Sequence, residues 1–171
     1  VVERFDRVGA NGRRGLISLG AIDDYRFGNR DNYTSAAARL ERAGMITRQD
    51  AETIRRIHCF GMLIANTDMH FGNLSFFPLE TGRYRLAPVY DMLPMFYSPI
   101  NDQLVHREFE PQALPIQAMS AWGTAFRLAM EFWRRVAEHP SVSTEFKALI
   151  RDNEARLRAL QRASAQAISV K

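Results

Sequence analysis

The centre of the sequence predicts a long helix that ends in a loop of acidic and amide residues. Thr47 followed by Asp50 matches a capping box, which places a helix start there. Apolar residues then recur at helical spacing, at Ile54, Ile57 and Ile64. We therefore expect a helix that runs to about Ala65 and delivers the polar loop at its C-terminal end.

The remaining periodicities predict an α+β fold that is mostly α-helical, with short β-hairpins. Short apolar runs bounded by turn residues predict strands over residues 1–7, 16–19, 74–77 and 84–87. Apolar stripes predict helices over residues 31–43 and 121–138, and Ser143 is a candidate cap for a final helix. We see no internal boundary, so residues 1–171 are expected to form a single lobe.

Composition excludes some classes of protein and permits others. No apolar run approaches the length of about 20 residues that spans a bilayer, which predicts a chain without membrane partners. The single cysteine, Cys59, rules out an internal disulfide framework and favours a cytoplasmic setting. The net charge of +4 comes from arginine, since the lysines are Lys147 and Lys171. Arginine binds phosphate in a bidentate manner, so nucleotide or nucleic-acid partners are compatible with this charge.

Three polar residues in a fixed order point to phosphoryl transfer from a nucleotide. Asp68 and Asn73 lie five positions apart in the central loop, and Asp91 follows a predicted hairpin that can fold both acids onto one side. In such chemistry one acid meets the attacking hydroxyl, while an amide and a second acid hold a metal on the phosphates. Mg²⁺ needs few protein ligands because it keeps its waters and binds phosphate oxygens.

Each of these residues also has a simpler interpretation. Asp68 and Asn73 suit turns, and Asp91 could cap a short helix that starts at Met92. His70 is an ordinary hydrogen-bonding residue in most loops, and no Cys/His spacing around it predicts zinc. The order of Asp68, Asn73 and Asp91 is what favours the catalytic interpretation.

Three separated segments carry a family resemblance. They are residues 2–7 (VERFDR), 66–73 (NTDMHFGN) and 86–92 (LAPVYDM). In this order they resemble the nucleotide-hinge strand, catalytic loop and metal-binding segment of the HipA-like serine/threonine kinases, toxin components of bacterial toxin–antitoxin pairs. The resemblance implies the C-terminal, larger lobe of a kinase-like fold.

The resemblance also implies roles for individual residues. Asp68 would be the catalytic acid, and His70 would act beside it near the phosphates. Asn73 and Asp91 would be the magnesium ligands, with Asp91 also touching the nucleotide. Backbone groups of Glu3 and Phe5 would meet the adenine of ATP. The implied partners are a protein substrate with a Ser/Thr acceptor, an antitoxin protein and, indirectly, DNA.

The chain departs from a complete kinase in one respect. No glycine-rich loop and no phosphate-pairing lysine precede Glu3, so the N-terminal lobe is expected to be missing from these 171 residues. We expect the isolated chain to be a weak or inactive kinase, and robust magnesium-dependent ATP turnover by it would contradict this.

Two rival functions remain open at this point. One is a pseudokinase or transcriptional regulator whose arginine-rich surface binds an antitoxin or DNA. The other is a metal-dependent phosphohydrolase built on Asp68, His70 and Asp91, which would release inorganic phosphate without an acceptor.

Overall fold

The protein consists of two compact units. The structure is a computed structural model that describes residues 4–80, 82–101, 103, 105, 107–112 and 118–169, with side chains described up to residue 164. The first unit comprises the residues up to His58 together with Met69–Met92. The second comprises Cys59–Asp68 and the residues from Leu93 onward. The sequence-based assignment of residues 1–171 to a single kinase lobe stays a prediction.

Three helices form the α-helical part of the first unit, and side-chain caps mark where they begin. They are α1 (Leu19–Arg26), α2 (Tyr33–Arg42) and α3 (Arg48–Leu63), of which α3 continues into the second unit. Ser18 Oγ accepts the Ala21 amide at 3.1 Å, and Thr47 Oγ1 accepts the Asp50 amide at 3.1 Å. These bonds satisfy amide groups that helix starts leave without partners. The predicted capping box at Thr47 is thus confirmed.

The strands of the first unit form two small antiparallel sheets. A hairpin with two-residue strands pairs β1 (Arg7–Val8) with β2 (Gly12–Arg13). The second sheet has the order β3–β4–β5, where β3 is Ile17–Ser18, β4 is Ser75–Pro78 and β5 is Tyr84–Leu86. The predicted hairpin over residues 74–87 is therefore confirmed, and it carries the chain from the central loop toward Asp91.

The predicted strands over residues 1–7 and 16–19 differ from the structure in their bounds, and residues 1–3 of the first prediction lie outside the described residues. Arg4, Phe5 and Asp6 lie outside any strand, because the Arg4 guanidinium binds the Asp6 carboxylate at 2.8 and 2.7 Å and the backbone turns there. Strand β3 ends at Ser18, since the Ser18 cap starts α1 at Leu19. β3 pairs with β4 in antiparallel orientation.

The first unit has its own apolar core. The amphipathic faces of its three helices contribute apolar side chains to one buried cluster that also contains Phe76 of the central strand β4, which is 0% exposed. The members of this core include Leu19, Ile22, Tyr33, Leu40, Ile54, Phe71, Leu74 and Phe76. Because Phe71 and Leu74 belong to it, the segment around the central loop is anchored by burial on both sides of Asn73.

The second unit is helical. Its main elements are α4 (Met119–Glu138) and α5 (Thr144–Ser169), and Ser143 Oγ accepts the Phe146 amide at 3.2 Å. Both helices and the Ser143 cap were predicted from the sequence. Trp133 of α4 is 0% exposed and lies at the centre of this unit's core, with Ile150 and Leu157 of α5 also buried. Among the described helices, none has both the length and the apolar character that crossing a bilayer requires.

Candidate functional site

Asp68 follows a tightly held helix end in the second unit. The amide of Asn66 reaches back to the Gly61 carbonyl at 2.9 Å, and the amide of Ala65 to the Met62 carbonyl at 3.4 Å. This is a Schellman-type ending, in which Ala65 takes the left-handed conformation (φ 61°) that glycine usually fills. The buried Asn66 side chain then accepts the Asp68 amide at 2.9 Å. The exposed Asp68 side chain is thus presented on a fixed backbone.

His70 and Asn73 bound a short 3₁₀ helix in the first unit. The helix spans Phe71–Asn73, and His70 caps it by accepting the Gly72 amide on Nδ1 at 3.0 Å. The Tyr33 hydroxyl donates to the His70 carbonyl at 2.8 Å. The hydrogen-bonding role considered for His70 is therefore present. Its predicted action near phosphates stays a prediction.

The position of the His70 ring leaves no room for a side chain at residue 72. A Cβ atom at Gly72 would lie 2.8 Å from the ring atoms Cε1 and Nδ1, closer than real Cβ contacts allow. Because the ring is also the cap, moving it aside breaks the hydrogen bond that starts the 3₁₀ helix.

We expect Gly72→Ala to displace His70 and loosen the turn that carries Asn73. The expected loss of unfolding free energy is about 1–2 kcal/mol, the usual cost of a lost cap. Urea unfolding measures this, with Gly123→Ala as the matched control, since a Cβ at Gly123 meets no atom within 4 Å. Equal stability of Gly72→Ala and the wild type would show that the His70 cap contributes nothing.

Tyr90 brings the Asp91 segment to the 3₁₀ helix. Its hydroxyl donates to the Gly72 carbonyl at 2.7 Å and lies 2.7 Å from Ser75 Oγ. Within the first unit, Tyr90, which precedes Asp91, is therefore hydrogen-bonded to Gly72, which precedes Asn73. The two predicted magnesium ligands thus lie on segments that are hydrogen-bonded to one another.

Asp91 has an unusual backbone and an exposed side chain. Its φ of 54° lies in the left-handed region, which aspartate and asparagine tolerate better than most residues. No helix starts at Met92, so the helix-cap interpretation of Asp91 is wrong. Such strained positions cluster at functional sites, where the surrounding structure holds them in place.

An open pocket of about 790 Å³ contains Phe5 and Asp91. The ring of Phe5 lies 5.9 Å from that of Tyr90 and 6.3 Å, edge-on, from that of Phe77. The remaining lining residues are Arg4, Asp6, Leu16, Pro88 and Val89. Its walls are thus mainly apolar, with charged groups at the Arg4–Asp6 pair and at Asp91.

The pocket's charges are distributed unevenly. The Arg4 guanidinium hydrogen-bonds to Asp6 and holds the pKa of that carboxyl below its ordinary value. These two charges offset each other. Asp91 is then the lining carboxylate that has no ion-pair partner among the described residues. A cation could bind this carboxylate without displacing a residue of the chain.

The first unit therefore brings together Phe5, Asn73 and Asp91 with the His70 turn. Glu3 lies outside the described residues. Asp68 belongs to the second unit, so its proximity to the others stays a prediction. The roles of Tyr90, Ser75 and Leu16 were not predicted from the sequence, because they depend on contacts that no local pattern reveals.

Comparisons with known proteins place these observations in context. Residues 1–167 match the family model described as the HipA-like C-terminal domain. A similar curated protein is Toxin YjjJ of Escherichia coli (strain K12), 36% identical over 164 residues that cover 93% of this chain and 36% of that protein.

A solved structure is also similar. It is the complex of the Shewanella oneidensis MR-1 toxin–antitoxin system HipA, HipB and its operator DNA, with a TM-score of 0.53 and 18% identity. The match covers 92% of this chain and 46% of that one and confirms the predicted fold class. The chain thus spans less than half the length of the proteins it matches here.

Proposed function

Because the chain belongs to the HipA-like C-terminal domain family, we propose that it forms part of a toxin-type kinase that transfers phosphate from ATP to a protein serine or threonine. The single observation that carries this proposal is the pocket shared by Phe5 and Asp91, residues to which the family resemblance gives roles toward adenine and magnesium. The relative named Toxin YjjJ supports the toxin class.

The residues present fit a magnesium–nucleotide complex. The pocket volume of about 790 Å³ falls within the usual range of small-molecule sites, about 300–1,000 Å³. The apolar walls at Phe5, Leu16 and Val89 suit a base. Asp91 and Asn73 are oxygen donors of the kind that Mg²⁺ prefers. The ion, when bound, would neutralise charge on the phosphates.

The chain's own residues would then do the following. Asp91 and Asn73 would hold the ion, with Tyr90 fixing the spacing of their backbones through the Gly72 carbonyl. Backbone groups near Phe5 would orient the base. Asp68 would accept the proton of the acceptor hydroxyl, and His70 would keep the Asn73 turn in shape. Catalysis would come from positioning and charge neutralisation.

Nucleotide binding gives a direct test. ATP at about 100 times its dissociation constant should add about 2.7 kcal/mol, which raises the melting temperature of the wild type by roughly 5–10 °C when Mg²⁺ is present. Asp91→Asn should abolish this shift, since asparagine keeps the left-handed backbone but removes the negative charge. Differential scanning calorimetry of the protein expressed from its complete coding sequence measures both.

The control is Asp24→Asn, which removes an exposed carboxylate paired with Arg30. It should leave the nucleotide shift unchanged. If Asp91→Asn were stabilised by magnesium–ATP as much as the wild type, Asp91 would not be a metal ligand.

A second candidate function rests on exposed arginines. The guanidinium groups of Arg14 and Arg85 lie 4.9 and 5.3 Å from the ring centre of Phe77, and neither has a carboxylate partner among the described residues. Such groups suit phosphate, as in a pseudokinase that binds DNA or associates with an antitoxin. Duplex binding that weakens steeply with salt and is lost in Arg14→Gln/Arg85→Gln would favour this function.

A further inference from the structure

The second unit contains a cavity beside the predicted catalytic acid that the proposed function does not use. It measures about 350 Å³ and includes Asn66 and Thr67, the two residues that precede Asp68. Another part of its wall is the segment that contributes Glu108, Phe109, Glu110 and Gln112. A group bound here would lie next to the residue expected to meet the acceptor hydroxyl.

The lining combines an apolar floor with carboxylates. Met62, Ala65, Phe96 and Phe109 supply the apolar surface, and the Phe96 and Phe109 rings lie 6.1 Å apart. The side chains of Glu108 and Glu110 are 67% and 78% exposed. The described lining includes two carboxylates and no basic residue. This combination suits a side chain with an apolar stem and a cationic end.

The chain's own arginines show that guanidinium groups fit this chemistry. The guanidinium of Arg107 lies 5.1 Å from the ring centre of Phe96. Arg156 of α5 donates to the Glu108 carboxylate at 2.6 Å, to the Phe109 carbonyl at 3.0 Å and to the Glu110 carboxylate. Both carboxylates therefore bind a guanidinium group of the chain itself. Arg156 also holds the wall segment in place, so the cavity is a formed feature of the unit.

We propose that this cavity binds an arginine side chain of the protein segment that carries the acceptor serine or threonine. The proposal rests on the proposed kinase function and adds a substrate class to it. The aromatic floor would stack on the planar guanidinium, and the Glu108 and Glu110 carboxylates would accept its hydrogen bonds. Lysine would bind less well, because its ammonium group neither stacks nor bonds in a bidentate manner.

The test uses a set of serine peptides in which one arginine is moved stepwise along an otherwise neutral sequence. Phosphorylation by the protein expressed from its complete coding sequence, with Mg²⁺ and labelled ATP, should favour one arginine position by about tenfold in kcat/KM. In Glu108→Gln/Glu110→Gln this preference should disappear, while the arginine-free peptide is phosphorylated as before. Glu80→Gln, an exposed carboxylate in the β4–β5 turn, should keep the preference.

The outcomes separate the two hypotheses. Phosphorylation without any arginine preference overturns the cavity proposal and leaves the kinase function standing. An equal loss for arginine-containing and arginine-free peptides in the double variant also overturns it, because it indicates that the wall has merely shifted.

If no peptide is phosphorylated, measurements of peptide binding test the cavity proposal instead. A fluorescent peptide with arginine at each position in turn and alanine in place of serine should bind the wild type in anisotropy measurements, and the double variant should bind about tenfold more weakly. Such binding would support the cavity proposal although the transfer reaction has failed. Equal affinity for both proteins would refute it.

Discussion

Replacing Asp68 by asparagine should abolish phosphate transfer to a protein acceptor and leave the folded protein intact. The carboxylate is expected to take the proton of the attacking hydroxyl, a role that contributes about 10²–10⁴-fold to rate. Asparagine has nearly the same shape but cannot accept that proton. The Asp68 side chain is exposed, the Asp68 amide can still donate to the Asn66 side chain in the variant, and asparagine keeps a hydrogen-bond-accepting oxygen. The free energy of unfolding should therefore change by no more than about 0.5 kcal/mol.

Transfer of labelled phosphate from magnesium–ATP, measured with the protein expressed from its complete coding sequence, tests this. Urea unfolding of the same samples reports on the fold. Asp24→Asn is the matched control, since it makes the same chemical change at an exposed ion pair. Transfer that survives Asp68→Asn at the wild-type rate would remove Asp68 from the mechanism.

Replacing Trp133 by alanine should cause the largest loss of stability of any change considered for this protein. The side chain is 0% exposed, and its ring packs edge-on against Phe132 at 5.1 Å. Removing a buried tryptophan costs about 3–5 kcal/mol. Its indole N–H also donates to the Leu63 carbonyl at 3.2 Å. That carbonyl belongs to the last turn of α3, where the helix itself supplies no donor. The variant therefore also removes the hydrogen-bond donor of this carbonyl.

Chemical unfolding measures the effect, and two further variants interpret it. Leu128→Ala removes a side chain of the same helix that is 51% exposed and should cost little. Trp133→Phe keeps much of the apolar packing but loses the hydrogen bond to the Leu63 carbonyl. Its stability should therefore fall between that of Leu128→Ala and that of Trp133→Ala. A loss below about 1 kcal/mol for Trp133→Ala would show that the second unit does not depend on this core.

Local sequence patterns predicted the elements that local chemistry determines. The capping box at Thr47, the apolar stripe of α4 and the Ser143 cap depend on residues within four positions of each other, and all three are present. The hairpin that leads to Asp91 also followed from local alternation and its turn.

The missed features depend on contacts between distant parts of the chain. Helix α1 was not predicted, in part because its buried Asp23 is charged; the Asn29 amide and the Arg39 guanidinium bind that carboxylate at 2.7 and 2.8 Å. The pairing of β3 with β4 joins residues that are far apart in sequence. The role of Tyr90 likewise depends on the Gly72 carbonyl, which lies on another segment.

The left-handed backbone at Asp91 has an evolutionary consequence. Asparagine is among the few residues that adopt this conformation readily, so a one-step exchange from aspartate would preserve the local geometry while erasing the charge. Descendants with asparagine at this position would keep the same architecture and lose the proposed magnesium ligand. The fold alone would then not distinguish proteins that have this carboxylate from proteins that lack it. Residue 91 would therefore be the first position to inspect.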